Sequence, residues 1–238
     1  LFRFWRWGQW IEVVVDDFIP VFNGQPLFTY SDDQGEMWPL LLEKAFAKLH
    51  GSYYHLCGGF SVASLENLTG GVTERSVGYW GPLYPLEDEN KKMNSLLFNK
   101  ISTTLKTGGL VTASTFVMDK MNMGIFGGHA YSVTGICSLP GVNLIKIRNP
   151  WGIQFEWVGS WSDDSDEMKQ IDKKLRKQLK TEEGEWWMDF KDFLQCYTLV
   201  EFCHILDNKW KSDDFVYHNG RWTPGSSNQF YLLKVDRK

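Results

Sequence analysis

The sequence predicts an α+β fold, with helices in its first half and strands in most of its second. Two stripes of apolar residues at helical spacing, over residues 38–49 and 91–106, precede five short β-like runs that begin at residue 110. Size supports a folded core as well, because 238 residues of which 43 % are apolar and 16 % aromatic can bury substantial surface.

Residues 1–17 alternate around Phe2 and Phe4, turn near Gly8 and Gln9, and continue through the β-branched run Val13-Val14-Val15, a hairpin pattern. Ser31-Asp32-Asp33 are placed to cap the next helix. In that helix Trp38, Leu41, Leu42, Ala45, Phe46 and Leu49 form one apolar stripe, Pro39 fits the first turn and Gly51 marks the stop. Paired glycines at 58–59 and 70–71 flank a run, 61–68, long enough for a brief helix. Residues 91–106 read as a second helix with Met93, Leu96, Leu97, Ile101 and Leu105 turned inward. Strands are expected over 110–116, 129–137, 142–148, 185–190 and 198–206, interrupted by a charged helix over 166–180 whose narrow stripe is Met168, Ile171, Leu175 and Leu179.

The net charge of −4 is mild, and the basic residues are scattered except over 169–180, so no nucleic-acid-binding face is expected. The chain opens on Leu1 with no secretory signal pattern and no apolar run of about eighteen residues; a piece of a longer soluble protein is the expectation. Cys57, Cys137, Cys196 and Cys203 form no C-x-x-C pair, which points to reduced thiols in the cytoplasm and to neither a disulfide framework nor a zinc site.

The chemistry concentrates between Gly127 and Gly152. His129 follows two glycines at the start of a strand, a position where a lone histidine is more often structural than catalytic, and Asn149-Pro150 is an ordinary way to leave a strand. Together they match a mechanism. An imidazole that activates a thiol needs a partner for its other N–H, and an asparagine carbonyl holds the tautomer without adding charge. Trp151 could shield that hydrogen bond from water.

The segments Gly-His-Ala-Tyr-Ser-Val-Thr-Gly (128–135) and Ile-Arg-Asn-Pro-Trp-Gly (147–152), with Leu68-Thr69-Gly70-Gly71, resemble the protease core of calpains, calcium-dependent papain-like cysteine endopeptidases. Further segments in calpain order extend the resemblance over residues 1–206, among them 10–17, 41–45, 161–164 and 184–188. It implies a papain-like α+β core: the end of the cysteine-bearing lobe at 1–70, a β-rich His/Asn lobe at 71–206, and the start of a C2-like β-sandwich at 207–238. It also implies that His129 is the general base, Asn149 its orienting partner, Trp151 the shielding residue, and Gly58, Gly59 and Gly128 the walls of a cleft for an extended peptide.

The resemblance implies calcium too, held in the protease core by the side chains of Glu156, Asp163, Glu183 and Glu185 and the carbonyl of Thr181, with Glu36 matching one carboxylate of a second site whose other ligands are missing. One residue is inserted between Trp151 and Glu156, and Glu183 stands where the family usually has Asp. The nucleophile is the main departure, because calpains carry it in a Gly-Asp-Cys-Trp-like segment that this chain lacks. Cys57 precedes His129 and Asn149 in triad order but sits in a segment that matches a cleft-wall loop.

The expected function is calcium-dependent intracellular limited proteolysis by the parent protein, with protein or peptide substrates and room for a regulatory subunit or inhibitor as partner; membrane association is expected only through downstream domains. The fragment alone is expected to be inactive. The alternative is a non-catalytic calpain-like calcium-binding scaffold. A tryptophan-rich carbohydrate-binding module rests only on the 12 tryptophans, most of them at core-like or family-matching positions.

Overall fold

A computed structural model describes residues 1–31, 33, 35–77, 88–115, 123–152 and 155–206. Asp32, Phe116 and the stretch 207–238, to which a cap, a strand end and a sandwich were assigned from sequence, lie outside the described residues. Leu1–Ile205 form one compact unit. Among the described residues no helix is long and apolar enough to cross a membrane.

The unit opens with the expected hairpin, β1 (Phe2–Arg6) paired antiparallel with β2 (Gln9–Val13) around a Trp7-Gly8 turn. A two-residue ribbon follows, β3 (Val21–Phe22) with β4 (Gln25–Pro26), and then α1 (Trp38–His50), ended at Gly51. Phe4 and Val13 bury their side chains against Ala45, with Leu42, Phe46 and Leu49 around them, so the lower part of the predicted stripe packs as read. Its first residue does not, since Trp38 is 59 % exposed. Nor do Ser31 and Asp33 cap this helix. Met37 precedes it without a side-chain cap, and the Asp33 carboxylate accepts the Gly35 N–H two residues on, closing a local turn instead.

A 3-10 turn (Tyr53–Leu56) leads through Gly58-Gly59 into α2 (Ser61–Thr69) and β5 (Val72–Val77), a strand not expected from sequence. Helix α3 (Asp88–Lys106) runs over the predicted stretch with its inward face shifted: Leu97, Phe98 and Ile101 are buried, whereas Met93 and Leu96 are exposed. The strands β6 (Leu110–Ser114), β7 (Ala130–Leu139), β8 (Val142–Arg148), β9 (Glu185–Asp189) and β10 (Leu199–His204) agree with the predicted runs to within a few residues at their ends.

All join β5 in one antiparallel sheet ordered β5-β10-β6-β7-β8-β9. The main core fills one face, where Leu97, Phe98 and Ile101 of α3 meet Val111, Val133, Ile145, Ile147 and Trp186. The seven-residue helix α6 (Phe190–Cys196), absent from the sequence reading, adds Phe190 and Phe193 to that core. On the other face Met168, Ile171, Leu175 and Leu179 pack on Leu144 and Trp187. The stripe is the one expected, but the helix that carries it is two, α4 (Asp166–Gln170) and α5 (Lys173–Gln178). The break has a cause in Asp172, whose carboxylate accepts the N–H groups of Lys174 and Leu175 and so starts a new helix.

Candidate functional site

β7 and β8 are antiparallel neighbours with Ser132 opposite Arg148, so the residues just before β7 and just after β8 emerge at the same end of the sheet. That is how residues 129 and 149 meet. The Gly128 N–H is tied to the Thr115 carbonyl at 2.9 Å, which fixes the approach to the strand, and His129 Nε2 lies 2.9 Å from Asn149 Oδ1.

The amide orientation follows from its other partners. Asn149 is 1 % exposed; its Nδ2 donates to the Phe155 carbonyl at 3.1 Å, and Oδ1 also accepts the Trp151 N–H at 3.1 Å. The oxygen therefore faces His129, Nε2 carries the donated proton, and the neutral ring keeps its Nδ1 lone pair on the opposite side. Burial pushes the His129 imidazole below its ordinary range, and the hydrogen bond to Asn149, which favours the charged form, opposes this without cancelling it.

Trp151 lies over the histidine, ring centroids 3.9 Å apart and planes within 28°, while Tyr131 meets the ring edge at 4.7 Å. The tryptophan is nonetheless 55 % exposed, a cover at the surface. Phe126 braces it edge-on at 5.7 Å, and the Phe126 N–H is held by the Tyr131 hydroxyl at 2.8 Å. Tyr131 and Phe126 were not singled out from sequence, since an aromatic at strand period reads as ordinary core.

Gly58 and Gly59 line one cleft with Ala130, Tyr131, Ser132 and Pro150, so the glycine wall faces the start of the histidine strand. A Cβ at either glycine would meet nothing within 4 Å, leaving the backbone open to whatever fills the cleft. Among the described residues no cysteine sulfur is hydrogen-bonded to His129. Burial raises the thiols of Cys137 and Cys203, and that of Cys196 is pushed up to about 12, which makes them poor nucleophiles. Cys57 is exposed, at the end of the 3-10 turn rather than at a helix start.

The residues expected to hold calcium lie on two adjoining loops. Glu156 Oε1 accepts the Gly184 N–H at 2.9 Å, and both carboxylate oxygens of Asp163 accept from the Thr181 hydroxyl, at 3.2 and 2.9 Å. The donors are hard oxygens from facing loops, the right chemistry for calcium. They are not gathered, however: among the described residues no three histidine, cysteine or carboxylate side chains converge as a metal group. Glu185 is buried and engaged elsewhere, accepting from Lys146 Nζ at 3.0 Å, Thr134 Oγ1 at 3.0 Å and the Glu182 N–H at 3.2 Å. A bulge in β7 between Val133 and Gly135 is what frees Thr134 for this contact. Glu183 is exposed in the turn before β9, and Glu36 stands apart at the approach to α1, 3.3 Å from the Ser31 hydroxyl.

Gly184 joins the two halves of the site. Its carbonyl accepts the Asn149 N–H at 2.9 Å while its N–H binds Glu156. Gly152 and Gly184 both have left-handed backbones, φ 75° and 78°, and a Cβ on Gly184 would come 3.0 Å from the Gly152 backbone. Two glycine turns are thus packed back to back.

Residues 1–204 match the family model described as calpain family cysteine protease. The chain is 40 % identical over 243 aligned positions to Calpain-8 of Rattus norvegicus, covering 95 % of this chain and 33 % of that protein. It is 39 % identical over 243 positions to the Calpain-1 catalytic subunit of Bos taurus, covering 95 % and 32 %. The chain therefore spans about a third of the length of the curated relatives it matches.

Proposed function

The chain belongs to the calpain family of cysteine proteases, and from that premise we propose that it supplies the acid–base half of a cysteine endopeptidase acting on extended segments of intracellular proteins. One observation carries the reading: the 2.9 Å bond from His129 Nε2 to an Asn149 side chain whose own orientation is fixed by Phe155 and Trp151. It leaves Nδ1 as the free basic atom. His129 takes the proton of a cysteine thiol through Nδ1, the imidazolium so formed is held in plane by Asn149, and the proton is returned to the leaving amine. Among the described residues no cysteine is hydrogen-bonded to His129, and on this reading the thiol comes from another part of the protein and the 238-residue chain by itself is inactive. Residues 1–70 then complete the thiol-bearing lobe and 71–206 form the His/Asn lobe.

Calcium would be held by Glu156, Asp163, Glu183, Glu185 and the Thr181 carbonyl, supplying positive charge between loops rich in carboxylates. Through Gly184 those loops touch the Asn149 turn, and Trp151 must leave the face of His129 before a substrate can occupy it. A regulatory subunit or inhibitor, and cytoplasmic residence, belong to the same reading. The test is hydrolysis of an unfolded substrate by the full-length protein. Activity is expected to fall by about three orders of magnitude or more in His129→Gln and to be lost in calcium chelator. Full activity of that variant would sink the assignment of the base; equal activity in chelator would sink calcium dependence alone. Absence of any cleavage by the full-length protein would favour the scaffold.

A further inference from the structure

Helix α2 has no cap of its own. Phe60, at the capping position, accepts the Ala63 N–H on its carbonyl at 3.3 Å but has no side-chain oxygen for the Ser61 N–H. The acceptor comes from 140 residues away: Glu201, at the middle of β10 and 2 % exposed, receives the Ser61 N–H on Oε2 at 2.9 Å. Its Oε1 receives Arg75 Nε at 3.0 Å, Arg75 being its direct opposite in the β5–β10 register. The Arg75 guanidinium then lies over the Phe60 ring, 4.0 Å from the centroid. One ion pair thus grips both the first residue of the helix and the residue before it.

The far end of α2 is fastened to the same strand. Thr69 Oγ1 lies 3.3 Å from Cys203 Sγ, and the Gly71 backbone passes so close that an added Cβ would come 2.7 Å from that sulfur and from the His204 carbonyl oxygen. Gly58 and Gly59 hang from the held end. Their place relative to Ala130 and Tyr131, across the cleft they share, is therefore set by the grip on Ser61. Glu201 is buried but Arg75 reaches the surface, and an ion pair with one exposed partner is a weak device for stability. What the charges supply here is direction: a carboxylate and a planar guanidinium that fit one geometry of the loop.

We propose that Glu201 and Arg75 are a positioning pair that fixes the Gly58–Phe60 wall against the histidine strand and so sets the affinity for an extended peptide. This rests on the protease reading, with the glycine wall as its peptide-binding edge. The experiment compares full-length wild type, Glu201→Gln, Arg75→Met and Arg75→Lys on a fluorogenic peptide, with thermal melting and amide exchange at residues 58–61 followed in parallel. Arg75→Met and Glu201→Gln are expected to raise KM about tenfold with kcat within about twofold, to speed exchange at Ser61, and to be partly rescued in Arg75→Lys. Arg75 is half-exposed, so its variants remain informative if Glu201→Gln fails to fold. A lowered melting temperature with unchanged KM would make the pair merely structural and overturn the proposal. If the wild type cleaves nothing, the protease reading fails separately, and unchanged exchange at Ser61 in Arg75→Met would overturn the pair on its own terms.

Discussion

The imidazole of His129 is set up by what surrounds it more than by any charge. Burial lowers its proton affinity and the Asn149 carbonyl restores part of it, so the ring is held neutral with a defined tautomer, as a base that must accept a proton requires. Asn149→Ala would remove three hydrogen bonds at once, those with the His129 N–H, the Trp151 N–H and the Phe155 carbonyl. The expected cost is about 1–3 kcal/mol of stability, together with a further fall in the His129 pKa, because the hydrogen bond that favours the charged ring is lost. Histidine proton resonances followed against pH check this; an unchanged His129 titration in Asn149→Ala would refute the positioning argument. His129, Asn149 and Trp151 were legible in the sequence because each sits beside glycine or proline at a strand end, where a side chain can serve chemistry rather than packing. Tyr131, Phe126 and Gly184 were not, because an aromatic brace and a back-to-back pair of turns exist only once distant segments meet.

At the scale of the element, sequence periodicity located the elements better than it located their faces. In α3 it turned Leu96 inward, yet Leu96 is 55 % exposed while Ile101 is fully buried against the sheet. The helix stripe is broad enough to admit more than one register, and the sheet it packs on selects among them. Ile101→Ala is therefore expected to cost about 2–5 kcal/mol, whereas Leu96→Ala should stay within about 0.5 kcal/mol, as read from urea unfolding midpoints. The reverse order would mean that the helix is rotated. β5 escaped notice because Thr73-Glu74-Arg75-Ser76 is polar, as an edge strand can be, and its partners on β10 lie more than a hundred residues away. Helix α6 is only seven residues long, and the Asp189 cap that starts it reads equally well as the end of a strand. The split between α4 and α5 is a rule applied too weakly: Asp172 inside a helical pattern is itself a start signal.

Across the whole molecule, the shifted titrations combine into an acid response with two stages. His129 has a native pKa depressed below its usual 6.5, so the unfolded chain takes up the proton first, and the stability this residue contributes above that value is lost as pH falls through the native pKa. Burial by itself would raise Glu185, but hydrogen bonds from Lys146, Glu182 and Thr134 outweigh it and hold the carboxyl below 4.5; Glu74 is lowered in the same way by His204 and Lys100. Their contribution is present above 4.5 and drains away as pH falls further. Asp192 acts in the opposite sense, because burial and the neighbouring Asp189 raise it above 3.8 and its native form takes up a proton early. The lowered Glu185 and Glu74 stand against the raised Asp192, and Glu185 is nearly enclosed, so loss outweighs gain. Melting followed by circular dichroism is expected to decline gently as pH falls below about 6.5 and more steeply below about 4.5. His129→Gln should flatten the first stage and Glu185→Gln the second. A melting temperature that rose on acidification would contradict the signs of the His129, Glu185 and Glu74 shifts, and an unchanged second stage in Glu185→Gln would show that the Glu185 carboxylate does not set it.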